Sequence, residues 1–207
     1  MSNPPRYSVI TLAVALALSA CGQAAGDAVA APVKVEGALT EASYKQAGSQ
    51  ALAQARQVMS DRTVTEERLD AAVAKIEQLL PLADKLSVDK AKLDEAELVS
   101  TLGALYARKA VFYANQAQQA GIYSAKGFRY LDRAIAKYPD NLTARLNRGM
   151  TSAKVPEFMN KSTVARDDLR FVLNLPEFAQ LPPGLKASVR TALDEVERRL
   201  ASGDSQS

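Results

Sequence analysis

The residue types that most often carry out chemistry are scarce in this chain. Its 207 residues include no histidine and no tryptophan, and Cys21 is the single cysteine. Without an imidazole, neither a serine nor a cysteine nucleophile has its usual general base. One thiol cannot assemble a zinc, haem or iron–sulfur site, nor close a disulfide within the chain. Adjacent acidic pairs occur, Asp94-Glu95 and Asp167-Asp168 among them. Adjacent residues on a helix point about 100° apart, so neither pair converges on one substrate or cation. The stretches GFRY and RGM lack the spacing of a phosphate-cradling loop. The sequence therefore reads as non-catalytic and free of cofactors and metals. A convergent pair of buried carboxylates from distant segments, or a bound metal, would revive an enzyme.

What remains is charge and aromatic surface. The net charge of +3 over this length does not point to nucleic acid. The charge is uneven, however. Residues 41–97 hold 11 acidic against 8 basic residues, whereas residues 121–170 hold 10 basic against 5 acidic. Arg129, Arg145 and Arg148 belong to the basic stretch, and Arg145 and Arg148 are spaced to share one helix face. Two readings stand: a patch that receives an acidic peptide, carboxylate or phosphate, or ordinary solvated helix faces. Seven aromatics, from Tyr106 to Tyr138, fall within 33 residues. Most suit a core stripe, but Phe112 and Tyr123 fall off it or in a loop. With Phe158 and Met159 they could line a groove or an apolar cavity. The loop at 154–161, KVPEFMNK, is either a contact loop or a hydrophobic plug. The expected partner-binding residues are accordingly Arg145, Arg148, Arg129, Tyr123 and Phe158.

Cys21 has a different chemistry. Arg6 is followed by a charge-free run from Tyr7 to Leu18 and then by the small residues Ser19 and Ala20. The run is shorter than the roughly 20 residues that span a bilayer, and its layout is that of a secretory signal. Leu18-Ser19-Ala20-Cys21-Gly22 resembles the bacterial lipobox. The resemblance implies cleavage before Cys21, acylation of its thiol and anchoring of the protein through lipid. Gly22 rather than Asp after the cysteine resembles an outer-membrane address. Residues 1–20 are thus read as signal, 21–39 as a flexible tether, 40–200 as the folded domain and 201–207 as a frayed tail.

The elements that must position these residues are all helical, since no segment alternates with period two. Helices are expected over 41–59, over a stretch opened by a Thr63-x-x-Glu66 capping box and bent or ended at Pro81, and over about 89–119. Gly121 would stop that third helix, a rod near 45 Å long at 1.5 Å per residue. Further helices are expected at 125–138, at 142–153 capped by Asp140 or Asn141, and at 162–174 capped by Ser162. A last one opens after Pro182-Pro183-Gly184.

Leu102-Gly103-x-x-Tyr106 resembles the first-helix signature of a tetratricopeptide repeat. GFRYLDRAIAKYPDN at 127–141 resembles its second helix and closing turn, and 144–176 resembles a further unit with Gly149 in the small slot. The first unit is about 12 residues longer than the usual repeat, and Arg148 stands where leucine is common. The resemblance implies antiparallel helix pairs stacked as a short superhelix, with Arg145 and Arg148 on its concave side. An unrelated helical bundle is the alternative. Together these readings give an expected function: a lipid-anchored adaptor facing the periplasm that holds an envelope protein partner. The second expectation is an accessory lipoprotein of a tripartite periplasmic transporter, with an apolar cavity for a small ligand.

Overall fold

The computed structural model describes residues 39–89 and 93–204. Among these residues the protein is all-helical. Seven α-helices follow in order: α1 (Glu41–Ser60), α2 (Glu66–Ala83), α3 (Glu95–Phe112), α4 (Ala117–Lys137), α5 (Leu142–Ser152), α6 (Ser162–Asn174) and α7 (Pro183–Asp204). Short 3₁₀ turns occupy Glu157–Met159 and Pro176–Gln180. The signal, Cys21 and nearly all of the tether lie outside the described residues.

Consecutive helices pack as pairs that stack on one another. α3 lies against α1 and α5 as well as against α2 and α4, and α6 is covered by α7. One apolar core joins α1, α2 and α3 around Tyr44, Leu69, Ile76 and Leu105. A second joins α5, α6 and α7 around Leu169, Val172, Val189 and Val196. Val99, Ala134, Ile135 and Ala144 form a third, smaller cluster between α3, α4 and α5.

α3 and α4 run antiparallel at very short range. A Cβ on Gly103 would lie 2.8 Å from the Gly127 carbonyl oxygen, and one on Gly127 would lie 2.8 Å from the Ala107 amide nitrogen. Both sites need glycine for close approach rather than for backbone freedom. Gly149 plays a milder version against Leu169, at 3.0 Å.

Several boundaries differ from expectation. The rod over 89–119 is two helices, because the chain tightens at Tyr113 and reverses by Gln116, whose amide donates to the Tyr113 carbonyl at 2.8 Å. Gly121 consequently sits inside α4, where a Cβ would meet nothing within 4 Å. Thr65 rather than Thr63 caps α2, since its hydroxyl accepts from the Arg68 amide. The Thr63 amide instead donates to Asp61 Oδ1 at 2.8 Å, in a turn ahead of the helix. Pro81 lies within α2, which ends at Ala83. Ser162 is the first residue of α6, following Lys161, and makes no capping bond. Asn141 does cap α5, accepting from the Ala144 amide at 2.9 Å. At the carboxyl end α7 continues to Asp204, so the segment from 201 to 204 is helical.

Candidate functional site

Arg145 and Arg148 are brought together, but around a partner inside the protein. Asp168 of α6 is fully buried and accepts from both. Arg145 Nη1 donates to Asp168 Oδ1 at 2.7 Å, and Arg148 donates from Nε to Oδ2 at 2.7 Å and from Nη2 to Oδ1 at 3.0 Å. Arg148 Nη1 reaches Asp132 of α4 at 2.9 Å. Arg145 Nε donates to the Pro139 carbonyl at 2.6 Å, and its guanidinium lies over Phe171. Burial alone would lower the affinity of Arg148 for its proton, but the bonds to Asp168 and Asp132 outweigh it and raise that affinity. This pair clamps α5 to α6 and α4. Only 19% and 17% of the two side chains is exposed, which leaves little guanidinium surface for a partner.

In sequence Asp168 is half of an adjacent acidic pair. It lies on the stripe Ala165, Asp168, Leu169, Val172, all buried. A carboxylate on an apolar helical stripe must be paired, and that was the available signal.

Tyr123 lies within α4, not in a loop, and belongs to an aromatic stack. Its ring is stacked on Tyr106 at 6.3 Å and tilted against Tyr113 at 5.1 Å, and Tyr130 also stacks on Tyr106, at 5.9 Å. Charges from α2 close this layer. Tyr106 donates to Glu77 at 2.6 Å and accepts from Lys126 at 2.6 Å. Lys109 sits over the Tyr123 ring and pairs with Asp70, and Tyr113 donates to Glu66. Burial, then the bond to Glu77, pushes the Tyr106 hydroxyl up to about 12. These tyrosines form an ionic and aromatic seam between α2, α3 and α4.

A second buried acid ties the start of α3 to the end of α4. Glu95 accepts from Lys137 and from the Tyr138 hydroxyl, with Arg133 Nη2 at 3.8 Å. Burial and then this bond raise the Tyr138 hydroxyl above its ordinary value.

Phe158 and Arg129 are the expected contact residues that face solvent. Phe158, in the 3₁₀ turn after α5, is 82% exposed, so it does not plug the core. Lys161, at the end of the same loop, lies over the buried Phe128 ring of α4. Arg129 is exposed on α4, one turn from Asp132. Val111, Phe112 and Ile122, around the α3–α4 turn, are also exposed apolar residues.

Two open cavities flank α2. One, of about 420 Å³, is lined by Gln50, Gln54, Gln57 and Arg68 between α1 and α2. The other, of about 310 Å³, is lined by Glu77, Asp84, Glu95, Tyr130 and Arg133. The first also has Ala53, Val58 and Ala71 in its wall and is mixed in character, the second is mainly polar, and both are open to solvent. Among the described residues, no group of three or more acidic, histidine or cysteine side chains is placed to hold a metal ion. No helix there is long and apolar enough to cross a membrane. Comparison with known proteins finds no matching family model, no matching curated protein and no matching solved structure.

Proposed function

We propose that this protein is a non-catalytic adaptor, tethered to the cell envelope through lipid on Cys21 and holding a protein partner on its helical stack. The observation that carries this reading is the open stacking of the helices. α3 contacts four other helices, the remaining contacts join helices that are neighbours in sequence, and two open clefts lie beside α2. Such a layout presents a long, stiff surface to a partner segment. Exposed Phe158 and Arg129 supply an apolar and a cationic contact, the combination enriched where interfaces concentrate their energy. The lipobox resemblance of Leu18-Ser19-Ala20-Cys21 supports the tether and the envelope location.

The transporter-accessory reading loses its motivation, because the aromatics that suggested an apolar chamber stack on one another and on Lys109 and Lys126. The adaptor reading is tested by capturing partners on the acylated chain from an envelope extract. Phe158→Ser combined with Arg129→Glu is expected to lower recovery of a stoichiometric partner by about tenfold, while melting stays unchanged. Equal recovery by both proteins would remove this surface from the interface.

A further inference from the structure

We propose that the α3–α4 turn is a lipid-contacting tip, which seats Val111, Phe112 and Ile122 in the acyl boundary of a bilayer. In sequence, Lys109 and Lys126 enclose residues 110–125, which carry no charge and form the longest such run among the described residues. The structure folds this run back on itself as the end of α3, the turn at 113–116 and the start of α4. Val111, Phe112 and Ile122 are 53%, 41% and 51% exposed there. With Phe158 they are the exposed large apolar side chains among the described residues.

The three belong to one end of the α3–α4 pair. The rings of Tyr113 and Tyr123, the sequence neighbours of Phe112 and Ile122, are 5.1 Å apart, so the end of α3 and the second turn of α4 lie side by side. Ile122 is six residues past Gln116, a rise of about 9 Å along the helix axis. Apolar side chains of interfacial segments sit about 5–10 Å into the boundary between headgroups and acyl chains. An end-on approach to that depth takes all three out of water together. Asn115, Gln116 and Gln118 supply uncharged amides to the same tip, and these suit the polar edge of a bilayer. Glu66 of α2, which reaches the turn, accepts from the Tyr113 hydroxyl and has Lys109 at 3.5 Å, so its charge is compensated.

Size and reach favour lipid over a second copy of the chain. A stable protein–protein interface takes about 20–30 residues from each side, whereas this tip presents three large apolar side chains. A bilayer requires no matching surface, and each apolar group contributes by the area it removes from water. The inference rests on the lipid tether at Cys21 proposed above, which keeps the tip near a bilayer. Leu39 precedes α1, whereas the Met59 and Asp61 carbonyls at the other end of α1 bind Arg108 near the end of α3. The tip is thus about one helix length from Leu39, roughly 30 Å for the 20 residues of α1. Residues 21–39 reach at most about 60 Å, enough to pass the stack and let the tip meet the bilayer.

The sequence has no tryptophan, so Phe112→Trp places a single reporter in the tip. The full chain carrying it is held on phosphatidylcholine vesicles, with a parallel set brominated in the acyl chains. Intact mass reads the acylation of Cys21 separately. Where Cys21 carries no acyl group the tether reading fails, and its thiol, the only one in the chain, is coupled to a maleimide-bearing lipid so that residue 112 still decides the tip. Its emission is expected to shift to the blue and to be quenched by the brominated lipid. Asp140→Trp, at the far end of α4, keeps its emission in water. Adding Val111→Ser and Ile122→Ser to the reporter should lower the partition of the tip by about tenfold. Emission at residue 112 unchanged by vesicles, or equal quenching at 112 and 140, would overturn the proposal. A blue shift that requires envelope protein rather than lipid would overturn it as well.

Discussion

Asp168 shows how one buried carboxylate can reassign two arginines. It accepts three hydrogen bonds from Arg145 and Arg148 at zero exposure, so its charge is compensated only while both remain. Asp168→Ala strands two partly buried guanidiniums and is expected to cost about 3–5 kcal/mol in chemical denaturation. A loss below about 1 kcal/mol would mean that the clamp is solvated and weak. The pair Arg145 and Arg148 was legible in sequence as a shared helix face, but its direction was not. The partner lies 20 and more residues away across a turn, and helical spacing carries no information about which neighbour a face meets.

Lys154 adds a pH signature at the same scale. Folded, it titrates at about 8, while in the unfolded chain an ordinary lysine titrates near 10.4. Between those values the unfolded chain binds more protons than the folded one, so stability rises with pH. Burial pushes Tyr44 and Tyr106 up to about 12, which gives the opposite slope from about pH 10 upward. Denaturation should therefore show a maximum near pH 10, and Lys154→Met should remove the rising limb. Stability that does not change from pH 8 to 10 in the unsubstituted chain would contradict this.

Among the helices, local chemistry was readable and long-range packing was not. Asn141 as a cap, and the end of α6 just before Pro176, follow from side chain and backbone rules that act within four residues. The helix expected to run through 113–116 fails for a different reason. Its alanines and glutamines favour helix, and the apolar stripe continues unbroken through Tyr113 and Ala117. The chain turns because α4 gains more by packing back along α3, with Gly103 against Gly127 and Tyr113 against Tyr123. Gly127, quoted in sequence only as part of a repeat-like stretch, is half of that contact. Gly127→Ala is accordingly expected to destabilise by about 1–3 kcal/mol through a backbone clash. Gly121→Ala has open space and a helix interior around it, and should stabilise by about 0.5–1 kcal/mol. Thermal melting of the two variants separates these roles, and shifts of the same sign would refute the assignment.

For the whole molecule, the all-helical class and the pairing of successive helices were legible because periodicity and turn residues recur along the chain. The closure of the aromatic cluster was not, since Glu66, Asp70 and Glu77 of α2 lie about 30 to 50 residues before the tyrosines and lysines they meet. That closure makes the aromatic cluster a structural seam between α2, α3 and α4, which supports surface recognition as the proposed role. The lipid tether is independent of it. Cys21→Ser is expected to leave an uncut precursor without acyl chains, as seen by intact mass, and a processed form still on membranes would contradict the tether.

The central claim is that the protein holds another protein and not a small apolar molecule. The most direct measurement is affinity capture of the acylated chain from an envelope extract, with bound proteins and extractable small molecules both identified by mass spectrometry. The account predicts a stoichiometric protein partner that Phe158→Ser with Arg129→Glu releases. A co-purifying apolar small molecule with no protein partner would contradict it.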